Sequence, residues 1–448
     1  MLRGGYGVFF VPAWYNQGDN TGYSQTTPWV NSLNGGLNPY TTLSGAAGAM
    51  CWNGTATIPC TGAFPTGEHV PTGNSLGPLN QLGYGSSGTH PIRPSPYVQQ
   101  WMMGFQYSFT NNDLLDISYV GNHGTNLLTG GTQWNATPDA ALASGTALLN
   151  AVPNPFYGAA DMPGSSCGLN LPTVPQGQLD LPYPEYCSVY EGGGSALGGM
   201  SNYNALEATY THRWHSGLDL NISYTYSKFL DDVQGSSGWA FPGNGNNTMD
   251  PYHFRTDYSV DVSNVPNSLV VYYTYELPFG KGKPMGTGWS KPVNAVLGGW
   301  QWSGILTAKS GLPISIGPVT GVGAGVDGLN QRPNVVPGVS PVPANQSIAD
   351  WINPAAFSQP APYTLGDLPR FMSNLHAPKY FDWDMGIQKY WNFTETKRLQ
   401  FRFEMFNALN HPDFMEPSNS LSNVGHGFGA ITGAYPARSV QVAGKFYF

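Results

Sequence analysis

The residues of this chain able to do chemistry are few: four cysteines, nine histidines and some closely spaced carboxylates. Cys51, Cys60, Cys167 and Cys187 fall in two local pairs. A zinc site needs tight C-x-x-C pairs or nearby His ligands. Neither accompanies these cysteines, so two disulfides are expected instead, Cys51–Cys60 and Cys167–Cys187, stapling long loops in an oxidising compartment. Gly83-Tyr84-Gly85-Ser86-Ser87-Gly88 matches G-x-G-x-x-G, but a dinucleotide fingerprint requires a strand before it and a helix after. Here a loop precedes it, and Pro91, Pro94 and Pro96 follow. Asp382 and Asp384 share one face of a strand with period two, a spacing that acid–base catalysis and a polar barrel lining both produce. Asp231-Asp232 invites a calcium reading, yet no EF-hand spacing follows. His123, His253, His376, His411 and His426 sit mostly at loop edges and read as surface groups. No P-loop or H-E-x-x-H occurs. The expectation is therefore no catalytic residue, no cofactor, no metal and no enzyme.

The elements that carry these residues read as strands. Strict alternation marks a half-buried strand, and Leu218 to Ser227 alternates throughout. Leu, Leu, Ile, Tyr and Tyr form one face; Asp219, Asn221, Ser223, Thr225 and Ser227 form the other. Ten such strands are expected near 2–12, 97–110, 113–124, 202–213, 217–228, 267–278, 299–316, 379–391, 397–409 and 438–448. Many are about ten residues long, the length a tilted strand needs to cross a bilayer. On the ninth, Gln400, Arg402 and Glu404 oppose Leu399, Phe401, Phe403 and Met405. An Arg facing lipid at mid-depth costs about 2–4 kcal/mol, so these polar groups are expected to line a lumen. Connections alternate in length. Asn111-Asn112, His215 to Gly217 and Asn392 to Thr396 are tight turns, with 279–298 a longer exception. Gly/Pro/Asn/Ser-rich stretches fill 13–96, 125–201, 229–266, 317–378 and 410–437. Short turns at one end and long loops at the other are the pattern of bacterial outer-membrane barrels. Compact soluble domains rarely tolerate several such loops.

Composition agrees. Of 448 residues only 10% are charged while 13% are aromatic, against about 25% charged in ordinary soluble domains. Mean hydropathy is −0.25, as for a molecule apolar outside and polar inside. Aromatic richness argues against disorder despite 58 Gly and 38 Pro. A formal charge of −8 and no basic stripe exclude nucleic acid as a partner. No apolar run reaches the length of a membrane-crossing helix, whereas closed barrels satisfy the backbone in lipid equally well. Met1-Leu2-Arg3 leads straight into the first strand, so no signal peptide is visible in these residues, and a removed leader or a longer chain is expected. Aromatic residues near strand ends, among them Trp101, Trp300, Trp302, Tyr390, Trp391 and Tyr447, suit interfacial girdles.

The last strand, Val440 to Phe448, alternates to the final residue and ends on an aromatic. With Phe446 and Phe448 it resembles the terminal signature that the barrel-assembly machinery reads. Other strings extend the likeness: Arg3-Gly-Gly-Tyr-Gly-Val-Phe-Phe, Gln100-Trp101 and Ser118-Tyr-Val-Gly-Asn-His-Gly-Thr125. Asn202-Tyr-Asn-Ala-Leu206, Tyr224-Thr-Tyr-Ser-Lys228, Leu277-Pro-Phe-Gly-Lys-Gly282 and Gly298-Gly-Trp300 follow. Ser310-Gly-Leu-Pro313, Asn353-Pro-Ala-Ala-Phe357 and Phe403-Glu-Met-Phe-Asn-Ala-Leu-Asn-His411 complete the order. Together they resemble the C-terminal barrel of Oar-like TonB-dependent receptors. That resemblance implies an antiparallel transmembrane β-barrel of about 22 strands around a plug, in the bacterial outer membrane, importing a ligand. Residues 1–448 would form its C-terminal part, with the plug and the N-terminal regulatory-like domain absent. The implied partners are outer-membrane lipid, the barrel-assembly machinery, an unidentified ligand, and the TonB system only where an N-terminal part exists. Two other readings stay open: an autonomous ten-stranded pore or adhesin, and a secreted β-sandwich that binds carbohydrate. They part on one point, whether the apolar strand faces meet lipid or each other.

Overall fold

The computed structural model describes residues 1–10, 82–88, 95–129, 133–158, 167–191, 196–215, 217–233, 248–317 and 331–448, residue 165, and short pieces between 32 and 77. Ten long strands dominate: β1 Leu2–Phe10, β2 Tyr97–Ser108, β3 Asp113–Thr129, β4 Ala196–His215 and β5 Leu218–Asp231. They continue as β6 Asn267–Glu276, β7 Trp300–Lys309, β8 Tyr380–Asn392, β9 Arg398–Phe406 and β10 Ser439–Tyr447. All ten expected strands are present. They lie side by side in chain order in one sheet, every neighbour antiparallel. Ser259–Val260 adds a short pairing to the end of β5. Among the described residues β1 pairs with β2 alone and β10 with β9 alone, so the sheet is not closed.

Three strand ends differ most from expectation, each for a local reason. β3 and β4 run further than 113–124 and 202–213 because their ladder continues through register shifts around Gly199, where alternation in the sequence is lost. Bulges preserve pairing while breaking the pattern of two. β7 stops at Lys309 rather than 316. A Cβ on Gly311 would stand 1.7 Å from the Ala377 carbonyl oxygen, so the chain there packs against a neighbouring loop. Pro313 offers no N–H to a ladder.

Directly opposed residues share a sheet face, and the register sorts the side chains cleanly. Ser223 opposes Thr209 and Val270; Val270 opposes Thr307, and Thr307 opposes Asp382. One position along, Ile222 opposes Tyr210 and Val271; Val271 opposes Leu306, and Leu306 opposes Trp383. The first row is largely polar; the second is wholly apolar. Across β8 to β10 the apolar row continues as Met385, Met405 and Val440. No described element of the molecule covers it as a second sheet would. Leu206, Tyr226 and Val442 stand 46%, 57% and 63% exposed, which a sandwich core would not permit. Among the described buried hydrophobic side chains, Ala205 alone lies on one of the ten strands. No described helix is long and apolar enough to cross a membrane.

The core sits elsewhere, in the long connections. Ile314, Ile316, Ile352, Ala356, Phe357, Leu368, Leu375 and Phe428 form one buried cluster, drawn from the β7–β8 and β9–β10 loops. Leu82, Leu169 and Val174, with Val152, Phe156 and Leu179 against them, form a second, drawn from the β1–β2 and β3–β4 loops. At the opposite end the turns are short. Thr110 Oγ1 accepts from the N–H groups of Asn112 and Asp113, both at 3.1 Å, and Gly217 takes φ +85° to close β4 onto β5.

Candidate functional site

Two surfaces could meet a ligand: the polar sheet face and the loop caps at its rim. On the polar face, parity places Asp219, Asn221 and Ser223 of β5 together with Gln400, Arg402 and Glu404 of β9. Asn221 donates to Thr211 Oγ1 at 3.0 Å, and Ser223 donates to Asn221 Oδ1 at 3.0 Å. Towards the last strand a chain of amides crosses four strands. Tyr447 Oη donates to Gln400 Oε1 at 3.0 Å, and Gln400 Nε2 to Gln388 Oε1 at 2.9 Å. Gln388 Nε2 donates in turn to Gln301. Arg402 lies 3.7 Å from Glu404, and at the far edge Arg3 pairs with Asp116. Two pairs of opposite charge thus lie on this face, which lowers the cost of burying or half-burying them. Gly386 lacks a side chain where Ser303 and Glu404 flank it, leaving a shallow concavity of about 570 Å³ that Tyr272, Ile305 and Asp384 also line. Asp384 Oδ1 accepts from the Asn407 N–H at 2.9 Å, a structural role for one of the two carboxylates weighed for acid–base work.

The caps are tied by a buried ionic cluster. Arg370, 5% exposed, donates to the backbone oxygens of Asp257 (2.9 Å), Val233 (2.7 Å) and Asp231 (2.7 Å), and pairs with the Asp231 carboxylate. Arg332 pairs with Asp257, and Arg255 with Asp232 at 2.8 Å. The two adjacent aspartates are thereby each paired with an arginine. Burial holds the Arg332 pKa below its ordinary value, against the pull of Asp257. Its Nε and Nη1, Asp257 Oδ2 and both amide atoms of Gln331 are buried without a hydrogen-bond partner.

The β5–β6 loop links the two caps. Tyr252 Oη donates to the Ala136 carbonyl at 2.5 Å, and burial, with Asp250 nearby, pushes the tyrosine pKa up to about 12. His253 Nδ1 lies 2.8 Å from Asp250 and 3.4 Å from Asp139. The hydrogen bond to Asp250 raises the imidazole pKa, and the two negative charges add to it. These three residues have donor atoms close enough to hold a cation, and the histidine–carboxylate pairing already accounts for their arrangement.

The Cys167–Cys187 disulfide is present, with Cα atoms 5.3 Å apart. Around it Asn135 Nδ2 donates to the Tyr183 and Tyr186 carbonyls, and Asn154 Nδ2 to those of Leu169 and Leu171. The Cys51–Cys60 expectation lies outside the described residues. Gly85–Gly88 is a short strand paired in parallel with Ser188–Glu191, so these residues of the glycine motif do not open a helix. Phe446 lies on the apolar face by register, its ring centroid 6.4 Å from that of Phe448. Sequence reading missed Asp257, Arg332 and Arg370. An arginine in a long loop of so charge-poor a chain was the available signal.

A family model described as an outer membrane beta barrel domain matches residues 1–441. No curated protein matches the chain. Among solved structures, the outer membrane transporter YddB from Escherichia coli is similar at 10% identity with a TM-score of 0.38, over 85% of this chain and 37% of that one. The ferripyoverdine receptor of the outer membrane of Pseudomonas aeruginosa is similar at 10% identity and TM-score 0.34, over 80% of this chain and 28% of that one. The chain therefore spans about a third of the length of these structures. The matched model covers almost every residue, and the one-sided apolar sheet is what such a domain requires: this chain belongs to the outer membrane beta barrel domain family.

Proposed function

We propose that this chain is the C-terminal barrel portion of a TonB-dependent transporter of the bacterial outer membrane, non-enzymatic, taking up a ligand selected at its loop caps. The observation that carries the reading is the segregation of the sheet: an apolar face for lipid, and a polar face that carries the Arg3–Asp116 and Arg402–Glu404 pairs for a lumen. Asp219, Asn221, Ser223, Gln400, Arg402 and Glu404 line that lumen, and Phe446 and Phe448 end the strand that the assembly machinery engages. The cap end faces outward from the cell and the short-turn end faces the periplasm, as in other barrels with this loop asymmetry. Ten strands with an unpaired edge at β1 and another at β10 suit part of a larger ring better than a closed pore of their own. The direct test is the in-frame DNA upstream of the Met1 codon. The proposal expects further coding sequence with a plug and a signal peptide. Stop codons directly ahead of Met1, together with sugar permeation through vesicles holding the 448-residue chain, would instead support an autonomous pore.

A further inference from the structure

One connection at the short-turn end is not a turn. Between β6 and β7 the chain forms a foot, residues 277–299, that folds back over the apolar face and holds a short helix, Lys291–Leu297. A helix this short does not persist alone in water, and three side chains of the apolar face fasten it. Trp300 Nε1 donates to the Val296 carbonyl at 2.8 Å, and Trp391 Nε1 to the Ala295 carbonyl at 2.7 Å. Lys389, 3% exposed, reaches the Asn294 and Gly298 carbonyls. Its ammonium also lies 5.4 Å from the ring centres of both Trp300 and Trp391. A cation at the carboxyl end of a helix meets the negative end of its dipole, and aromatic faces add cation–π attraction. Gly280 and Gly298 make the fold-back close. A Cβ on either would stand 2.9 Å from the Cα of the other, and Gly280 takes φ +123°.

So held, the foot leaves greasy residues uncovered by any other described residue. Val293, Val296 and Leu297 are 40%, 64% and 53% exposed, with Phe279 and Met285 also exposed beside them. The segment carries Lys281, Lys283 and Lys291 and no carboxylate; Lys283 is engaged by Glu276, while Lys281 and Lys291 are exposed. We propose that this foot is a lipid-interface anchor, seated among the headgroups and upper acyl chains of the leaflet at the short-turn end, with preference for anionic phospholipid. Continuity identifies the occupant. The helix lies on the same face that meets lipid along the strands, and tryptophan and lysine at its root are the residues that settle at membrane interfaces. Apolar residues beside lysines describe a helix that lies in the interfacial plane. Basic groups near an anionic surface are drawn to it by its negative potential.

The inference rests on the lipid-facing assignment made above, and the test separates the two. The full chain is reconstituted in vesicles of phosphatidylcholine with or without phosphatidylglycerol. Nitroxide labels are placed by Val296→Cys on the foot, Val442→Cys on the apolar face of β10 and Asn345→Cys on an exposed loop; label uptake by the unsubstituted protein is subtracted. Collision with oxygen and with a water-soluble nickel chelate reports depth. With phosphatidylglycerol present, the oxygen-to-nickel ratio at 296 is expected to approach that at 442 and to exceed that at 345. It should fall in neutral vesicles, and K281Q/K291Q should abolish the difference between the two lipids. A lipid-like signal at 442 with a water-like signal at 296 overturns the anchor and leaves the barrel standing. An unchanged signal at 296 across the two lipids overturns the anionic preference. Water-like signals at both positions overturn anchor and lipid-facing face together.

Discussion

The cap built from residues 311–317, 331–378 and 410–437 and the sheet beneath it use similar apolar residues in opposite ways. In the cap, Ile314, Ile352, Leu368 and Leu375 turn inward to near-zero exposure, and buried Arg370 is met by a carboxylate and backbone carbonyls, as in a water-soluble core. In the sheet, Leu206, Tyr226 and Val442 remain open, and most polar residues gather on the other face. The cap is organised by water and the sheet by lipid. One chain therefore records two solvents, and the boundary between them runs along the cap ends of the strands, where Asp231 closes β5 and meets Arg370.

Substitutions can break or sharpen that contrast. The largest effect is expected from Arg370→Ala, which strands Asp231 in a dry site. Removing one partner of a buried pair costs about 3–5 kcal/mol. Hydrogen exchange should show the 331–378 region losing protection while the barrel strands keep theirs. Leu375→Ala should cost the cap about 2–5 kcal/mol by leaving a cavity, read as earlier proteolysis of the same loop with unchanged membrane insertion. On the sheet the paired substitutions Ile222→Arg and Ser223→Arg should diverge. The first places a charge in lipid at about 2–4 kcal/mol near mid-depth, measured by refolding yield into vesicles; the second should be close to neutral. Equal penalties would erase the distinction between the faces. The smallest effect is a pH dependence at His253. Its pKa is raised in the folded loop, so its pairing with Asp250 and Asp139 stabilises the loop at pH below the imidazole's ordinary value and is lost as pH rises through the folded value. Protection across 248–257, corrected for the base-catalysed exchange of free amides, should fall from pH 5.5 to 8.5, and His253→Gln should flatten that fall.

The strands were legible because their signal is local. Alternation over ten residues, as at Leu218 to Ser227, needs no knowledge of the rest of the chain. It failed at Gly199 and Gly311, where a bulge or a close approach overrode the pattern. The pairing of Cys167 with Cys187 was legible from their isolation within one loop. The caps were not. Their cores assemble Ile314, Ile352 and Phe428 from glycine- and proline-rich stretches with no period, and contacts so distant in sequence leave no local trace. Asp231-Asp232 was visible as a pair, but its arginines lie at 255 and 370. The foot was visible as an overlong turn bounded by Leu277-Pro-Phe-Gly and Gly298-Gly-Trp300. Its helix was hidden because Trp300, Lys389 and Trp391, rather than its own sequence, hold it.

One measurement bears most directly on the whole picture: a spin-label walk through positions 218 to 227 of β5 in the full chain, reconstituted in lipid. Oxygen accessibility is expected to peak at 220, 222, 224 and 226, with the nickel chelate favouring 219, 221, 223 and 225. A walk in which the even positions exclude both probes would mean that the apolar face is packed against protein, and the outer-membrane reading of this sheet would fall with it.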